Sequence, residues 1–431
     1  MQISLFYDYQ SILDSSSFYR KYDALFLAIE KALVSSAPVR RAGRRGYGFA
    51  AYLKALIYKH SQQIKSIPDL LRDLESRPLL CQMIGFPPGR LPDESRFYEF
   101  IGQTNNSALE SVHHAANRLL LDAKVISLDV IIADSKPIMA NTRHNNPKNS
   151  ERSLDKNHKI RRNPAVTLGY FSYLKQPNGD RKKSISYFWG YRTHVLISAE
   201  GVPLVEITKP NNQTDSKVAK ALIRKLIRIY GKRQGRVFIG DAAYDDRELY
   251  DFVVNFMKGE PFIPINPRGQ QPEKIIGANG CPCCDAGLEM KFAGLAQDGR
   301  RIRKKFRCPL KVGFKKERVN LTAGCPVNHE KFSTGKCYGC TAYIDVTEDA
   351  RAQVPRQSLR YLKLYDMRTA VERYFSRLGD REAEQTTHYV YRAVRNQMTI
   401  AHLTQSLVAI AAVIMQRPEK IRCFKSLADA A

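Results

Sequence analysis

The sequence predicts a mixed α/β fold in three parts: an all-α N-terminal unit, a sheet completed by a late helix, and a cysteine-rich insertion between them. Three observations predict it. Up to about residue 120, apolar residues recur at helical spacing; from Val125, short β-branched runs alternate with turns and one helix. From about 266 to 355 the chain instead gathers seven of its nine cysteines among many Gly and Pro, before helical spacing resumes near Ser358.

In the N-terminal unit, Leu25, Phe26, Ile29 and Leu33 share a helix face, as do Tyr52, Leu53, Leu56 and Ile57. Ser66 followed by Pro68 reads as an N-cap and first turn, leading through Leu70, Leu71 and Leu74 to a stop near Arg77-Pro78. Gly85 to Gly89 is a break, and Asp93 to Ile101 and Ser107 to Leu121 read as two further helices. Val125 to Ile132 has the composition of a buried central strand. Residues 142–162 read as a basic loop. Tyr187 to Ile197 and Val202 to Thr208 flank a turn at Ala199-Glu200-Gly201 and read as a hairpin. A helix is predicted from Thr214, and a short buried strand over Arg236 to Gly240. The resulting segments are 1–121 (helical), 122–265 (first part of the α/β domain), 266–355 (cysteine-rich insertion), 356–415 (last part of the α/β domain) and 416–431 (tail).

The 431 residues suit two or three domains, and 43% apolar content provides ample core. Lys and Arg number 69 against 42 Asp and Glu, a formal charge of +27. That surplus must lie mostly on the surface, where it attracts a polyanion. Nucleic acid is the leading partner, with a ribosomal or membrane-surface role as the alternative. The apolar run Leu407 to Met415 is half the ~18 residues a membrane span needs. The start, Met1-Gln2-Ile3-Ser4, lacks a basic segment followed by an apolar one. A cytoplasmic protein with reduced cysteines is the expectation.

Three carboxylates stand out. Asp134 lies where the apolar strand passes into polar sequence, a rigid support for a reactive group. Asp129, five residues earlier, would face the other way in an unbroken strand. Asp241 closes the strand Val237-Phe238-Ile239-Gly240 and has no evident capping role. Asp245 and Glu248, by contrast, have the spacing of a helix-capping pair. Tyr365, Arg368 and Glu372 fall at i, i+3 and i+7, on one helix face. His194, in the hairpin, reads as structural.

Together these stretches resemble the DDE transposases of insertion sequences, whose catalytic domain has the RNase H-like fold. Ala133-Asp134-Ser135-Lys136-Pro137 is similar to the family's first-aspartate strand, and Gly240-Asp241-Ala242-Ala243-Tyr244-Asp245 to its second. Tyr365, Arg368 and Glu372 match its Y-(2)-R-(3)-E signature. Tyr191 to His194, Asn212 to Ser216 and the helical region Ser66 to Ile101 also resemble family segments. One position departs: the Lys or Arg usual seven residues after the glutamate is Gly379 here, flanked by Arg377 and Arg381.

The resemblance implies an enzyme that binds element ends, cleaves DNA and transfers the freed strand. Residues 1–121 would bind DNA or dimerise, and a homodimer on double-stranded DNA is expected. Asp134, Asp241 and Glu372 would hold Mg2+ (or Mn2+), because two divalent ions about 4 Å apart can activate a nucleophile and stabilise a leaving oxygen. Asp134 would bridge both ions; Arg368 and Tyr365 would orient Glu372 or contact phosphate. The competing readings are an RNase H-like nuclease without strand transfer and a non-catalytic zinc-containing DNA-binding regulator.

The cysteine block reads as zinc-binding, since each C-x-x-C can grip a metal from a tight turn. One arrangement joins Cys281 and Cys284 with Cys337 and Cys340; another joins Cys281, Cys284, Cys308 and Cys325, leaving the later pair for His329 or unused. Cys81 and Cys423 are isolated and read as inert. Arg300, Arg301, Arg303, Lys304, Lys305 and Arg307, interleaved with Ile302 and Phe306, are candidates for DNA backbone contact, as are residues 40–45 and 181–183.

Overall fold

The computed structural model describes residues 11, 15–36, 47–87, 89–175, 182–266, 281–298, 301–311, 324–333, 339–345, 350–351, 354, 356, 358–379 and 383–427. These form two compact units, one of residues 1–264 with 355–431, the other of residues 265–354.

The first unit opens with helices α1 (Ser17–Val34), α2 (Phe49–Ser61), α3 (Ile67–Glu75), α4 (Pro78–Ile84), α5 (Glu94–Gln103) and α6 (Asn106–Asp122). Their starts follow the capping chemistry of the sequence. Ser16, Ser66 and Asn105 each accept a backbone N–H of the first turn, and Gly85 closes α4 in the left-handed region at φ 101°. The apolar stripe of α1 (Leu25, Phe26, Ile29) is buried; Leu53, Leu56 and Ile57 of α2 are likewise.

A six-stranded mixed sheet follows, in the order β2-β3-β1-β5-β6 with β4 also paired to β3. Strand β1 is Val130–Met139, β2 Thr167–Lys175, β3 Lys182–Ser198, β4 Pro203–Pro210, β5 Val237–Ile239 and β6 Glu260–Phe262. β1 runs antiparallel to β3 and parallel to β5, which runs parallel to β6. The predicted first strand is displaced. Residues 125–129 form the approach, and the ladder continues through Asp134-Ser135-Lys136-Pro137 to Met139 because β3 pairs with every one of those residues. Composition located the apolar half of the strand; the partner strand decided its extent. The seventeen-residue β3 serves β2 along one half and β1 and β4 along the other. At the crossover, a Cβ on Gly190 would come within 2.1 Å of the Ile138 carbonyl, so no larger residue fits there.

Helices α7 (Asp215–Tyr230) and α8 (Arg247–Asp251) flank the sheet, and α9 (Leu359–Tyr365), α10 (Thr369–Gly379) and α11 (Tyr391–Ile414) complete it. α11 is long and apolar enough, by length and composition, to cross a membrane, beyond what the run Leu407 to Met415 suggested. It lies inside the fold instead, with 89% of its apolar window buried, packed on α6, α1, α5, α2 and β4. Its polar residues are matched within the core. Asn396 and Thr399 bind Asn106, Thr399 donates to Glu206, and His402 meets Thr193 and the Tyr374 hydroxyl. Unpaired, each such group would cost about 1–3 kcal/mol, so the pairings fix how α11 docks. The N-terminal helices and the sheet thereby share one core. The tail returns to it, with Phe424 against Tyr22 and Leu427 fully buried.

The second unit carries a three-stranded antiparallel sheet, β7 (Lys291–Asp298), β8 (Arg301–Arg307) and β9 (Thr341–Asp345), with β8 central.

Candidate active site

The first aspartate sits in mid-strand. Asp134 pairs with Val195 across β1 and β3, and its side chain accepts the N–H of Ser135 at 2.7 Å. Asp241 follows the neighbouring strand β5 and accepts the N–H of Ala243 at 2.9 Å, capping a single 3-10 turn. The capping role withheld from Asp241 is therefore real. The one assigned to Asp245 and Glu248 is not: Asp246 caps α8 through Leu249, and Glu248 instead meets Lys220 at 2.6 Å. Asp245, Asp246 and Glu248 all lie at this turn, and only the backbone path selects the one that caps. Asp129 is exposed and paired with Arg233 at 2.9 Å.

Arg368 lies among the carboxylates. Its Nη2 stands 3.9 Å from both Asp134 Oδ2 and Asp241 Oδ2, and its Nη1 donates to Glu372 Oε1 at 2.7 Å. Arg368 closes a 3-10 turn, Asp366–Arg368, that joins α9 to α10. Glu372 lies one turn into α10, as i+4 spacing requires. Tyr365 ends α9 and stacks on Tyr361, with centroids 5.7 Å apart.

The electrostatics follow from burial. Asp134 is pushed up to about 7, chiefly by desolvation, with the charges of Asp241 and Asp215 adding and the Ser135 N–H and Arg368 opposing. Burial likewise raises Asp241, against the Ala243 N–H and Arg368. For Arg368, burial works against the charge, but Asp134, Tyr365, Asp241 and Glu372 outweigh it and its pKa rises.

A further layer was not foreseen. Asp215, the first residue of α7, accepts from Ser135 Oγ at 2.8 Å and faces His194 Nδ1 at 3.2 Å, while Arg192 donates to Ser135 at 3.0 Å. His194 is fully buried. Tyr244's hydroxyl is buried without a hydrogen-bond partner among the described residues, in the field of Asp215, Asp134 and Asp241. The sequence signals for this layer were the family-like segments Tyr191 to His194 and Asn212 to Ser216; the approach of Asp215 to β1 arises from long-range packing. At Gly379, an added Cβ would lie 3.0 Å from Lys136 Nζ, which binds Glu384 and the Phe375 carbonyl. Arg377 reaches instead toward Gly201, and Arg381 falls outside the described residues.

Could this donor set hold divalent metal? Among the described residues, no three His, Cys, Asp or Glu side chains stand together as a ready ligand set. Here the reason is visible: a guanidinium occupies the space between two hard oxygen donors. Two partly buried aspartates, one in a strand and one just after its neighbour, that already face a cation suit Mg2+, which takes few protein carboxylates and completes its shell with water.

The second unit contains a separate cluster. Cys308 is buried, and Cys281, Cys283, Cys284, Cys325 and Cys340 are partly buried, all as free thiols. Burial pushes Cys340 up to about 12, with Cys308 and Cys284 adding to the shift. Cys337 lies outside the described residues, as do Arg300, residues 40–45 and the side chains of 181–183. Of the basic run, Arg303 and Lys305 lie over the Tyr343 ring at 4.8 and 6.0 Å, and Phe306 faces the interior.

A mixed sheet with paired aspartates on adjoining strands and an arginine–glutamate helix beside them fits an RNase H-like catalytic domain. Residues 127–407 match the family model "Transposase DDE domain", and residues 7–103 match "Transposase domain (DUF772)". The chain belongs to the DDE transposase family, whose enzymes cut and join DNA and generally depend on divalent metal. No curated protein sequence matches it. Among solved structures, a piggyBac transposase synaptic complex with hairpin DNA aligns over 95% of this chain and 80% of that one, at 8% identity and a TM-score of 0.39.

Proposed function

We propose that this protein binds the ends of an insertion sequence, cleaves them and joins the freed strand to target DNA, using Asp134, Asp241 and Glu372 as its carboxylate triad. The observation that carries the proposal is the placement of Arg368, within reach of all three carboxylates in a chain of the DDE transposase family. Asp134 and Asp241 would hold Mg2+ or Mn2+, with Glu372 as the third ligand. Bound metal would supply a lowered water pKa and neutralise charge on the leaving oxygen.

The chain's own residues account for the rest. The cap at Ala243 and the bond to Ser135 aim the two aspartates, and Asp215, with Arg192 and His194, braces Ser135 from behind. Arg368 neutralises the buried acids before DNA arrives, then turns to a phosphate. Tyr365 packs on Tyr361 at the rim and orients Arg368 or DNA. Water attacks the scissile phosphorus and frees a 3′-hydroxyl. That hydroxyl then attacks a target phosphodiester, so one bond forms as one breaks. Double-stranded DNA is the partner, which the +27 charge supports, and two copies of the chain would synapse two ends. Arg303, Lys304 and Lys305 on β8 are candidates for backbone contact. The second unit would hold structural zinc.

The test is a Mg2+-dependent cleavage and joining assay on the candidate element ends, with Glu372→Ala in parallel. Cleaved and joined products that vanish in the variant support the proposal. Cleavage without joining would establish the nuclease reading instead, and unchanged activity of Glu372→Ala would remove the triad.

A further inference from the structure

On α7 (Asp215–Tyr230) residue spacing gathers part of the chain's surplus positive charge into a line. The buried side of the helix is Val218, Ala219, Leu222, Ile223 and Leu226, packed on the sheet. At about 100° per residue, Lys217, Arg224 and Arg228 then fall within roughly 40° of one another on the opposite side. All three are exposed, as is Lys232 just past the helix end. Lys225, turned inward, pairs with Glu110 at 2.8 Å, and Lys220, at the margin of the stripe, meets Glu248 at 2.6 Å. Among the described residues, Lys217, Arg224, Arg228 and Lys232 have no ion-pair partner.

An aromatic shelf lies under the stripe. The π-helical turn Phe252–Met257 stacks Phe252 on Phe256, with ring centroids 4.4 Å apart. Arg224 lies over Phe252 at 4.7 Å and over Phe256 at 6.0 Å, and Lys232 lies over Phe256 at 5.6 Å. A ring face attracts a cation without neutralising it, so these charges are held in place and remain available to an anion. The stripe also begins beside the acids. Asp215, at the head of α7, accepts from Ser135 Oγ at 2.8 Å, next to Asp134. From Lys217 to Arg228 the helix rises about 16 Å, the axial length of roughly five base pairs.

We propose that the outer face of α7, with Lys217, Arg224, Arg228 and Lys232, is a docking track for the phosphate backbone of duplex DNA flanking the cleavage point. Its partner rests on the transposase reading above. A row of exposed cations is complementary to a polyanion, and contacts to phosphate position a duplex without reading its sequence. Because α7 carries both the stripe and Asp215, a duplex lying along it is held in a set position against Asp134 and Asp241.

The experiment measures binding of the full chain to an arbitrary-sequence duplex over a range of salt concentrations. A variant carrying Lys217→Gln, Arg224→Gln and Arg228→Gln is measured beside it. The variant should lose roughly tenfold in affinity at moderate salt, and its log–log salt slope should flatten by about 2 to 3. Its thermal unfolding, followed by circular dichroism, should match that of the unaltered chain. Unchanged affinity and slope in a folded variant would overturn the track and leave the transposase reading standing. An unaltered chain that binds no duplex would overturn both. Loss confined to single-stranded DNA or phosphatidylserine vesicles, with duplex binding kept, would give the stripe another partner and overturn the proposal. If the triple variant fails to fold, Lys217→Gln and Arg228→Gln decide singly: each should flatten the slope by about 1, and a full slope in both refutes the track.

Discussion

The two cation-seeking regions of this molecule are built in opposite ways. The carboxylates stand on a sheet whose strands, helices and buried polar pairs form a complete core, and Arg368 already supplies the positive charge that their burial demands. The thiols stand in a unit whose described core is three residues, and no Lys or Arg is among the described residues lining their cavity. On the proposed function, the fold of the first region makes the metal site. In the second, on the same reading, the metal makes the fold.

Breaking the carboxylate side should have the largest effect. Asp134→Ala or Asp241→Ala should reduce strand cleavage by roughly a thousandfold or more, about 4 kcal/mol of barrier, while thermal unfolding of the first unit stays within a few degrees. An unfolded variant, checked by circular dichroism, would show that these acids serve the fold instead.

The next effect falls on the second unit. Chelating zinc should abolish its protection from proteolysis between residues 265 and 354, while the first unit's melting transition persists. Retained protection would erase the contrast between the regions.

A smaller, graded effect concerns pH. Asp134 is held at about 7 in the fold against an ordinary 3.8, so the folded chain carries a proton between those values that the unfolded chain has lost. Metal-free stability should therefore fall as pH rises from about 4 to 7, and metal uptake must expel that proton below 7. Mg2+ or Mn2+ affinity, followed by calorimetry, should weaken about tenfold for each pH unit below 7 and level off above it. A flat profile would mean that Asp134 is not a ligand.

The smallest effect sharpens the role of Arg368. In the absence of DNA, Arg368→Gln should bind Mn2+ several-fold more tightly, because the competing cation has gone, and its metal-free form should be less stable above pH 7. Unchanged affinity would show that the arginine and the metal do not share one space.

Much of this was readable beforehand, for reasons of locality. The helix start at Ser66 depends on groups within three residues, and the Arg368–Glu372 pair depends on one helical turn. The extent of β1 was not legible, because polar residues become strand only when β3 hydrogen-bonds them. Neither was the choice of Asp246 over Asp245 as the cap of α8, which the backbone path decides. The role of Asp215 and the neighbourhood of Cys284, Cys308 and Cys340 were hidden too, since each joins residues far apart in the chain.

By itself, then, the sequence determined the helical N-terminal region, the surplus positive charge and the resemblance to the family, all of which rest on residue type and short spacing. Tertiary structure alone decided that a guanidinium stands between Asp134 and Asp241, and that Cys308 lies beside Cys340. Both depend on backbone hydrogen bonds between distant segments, and no local pattern encodes those pairings.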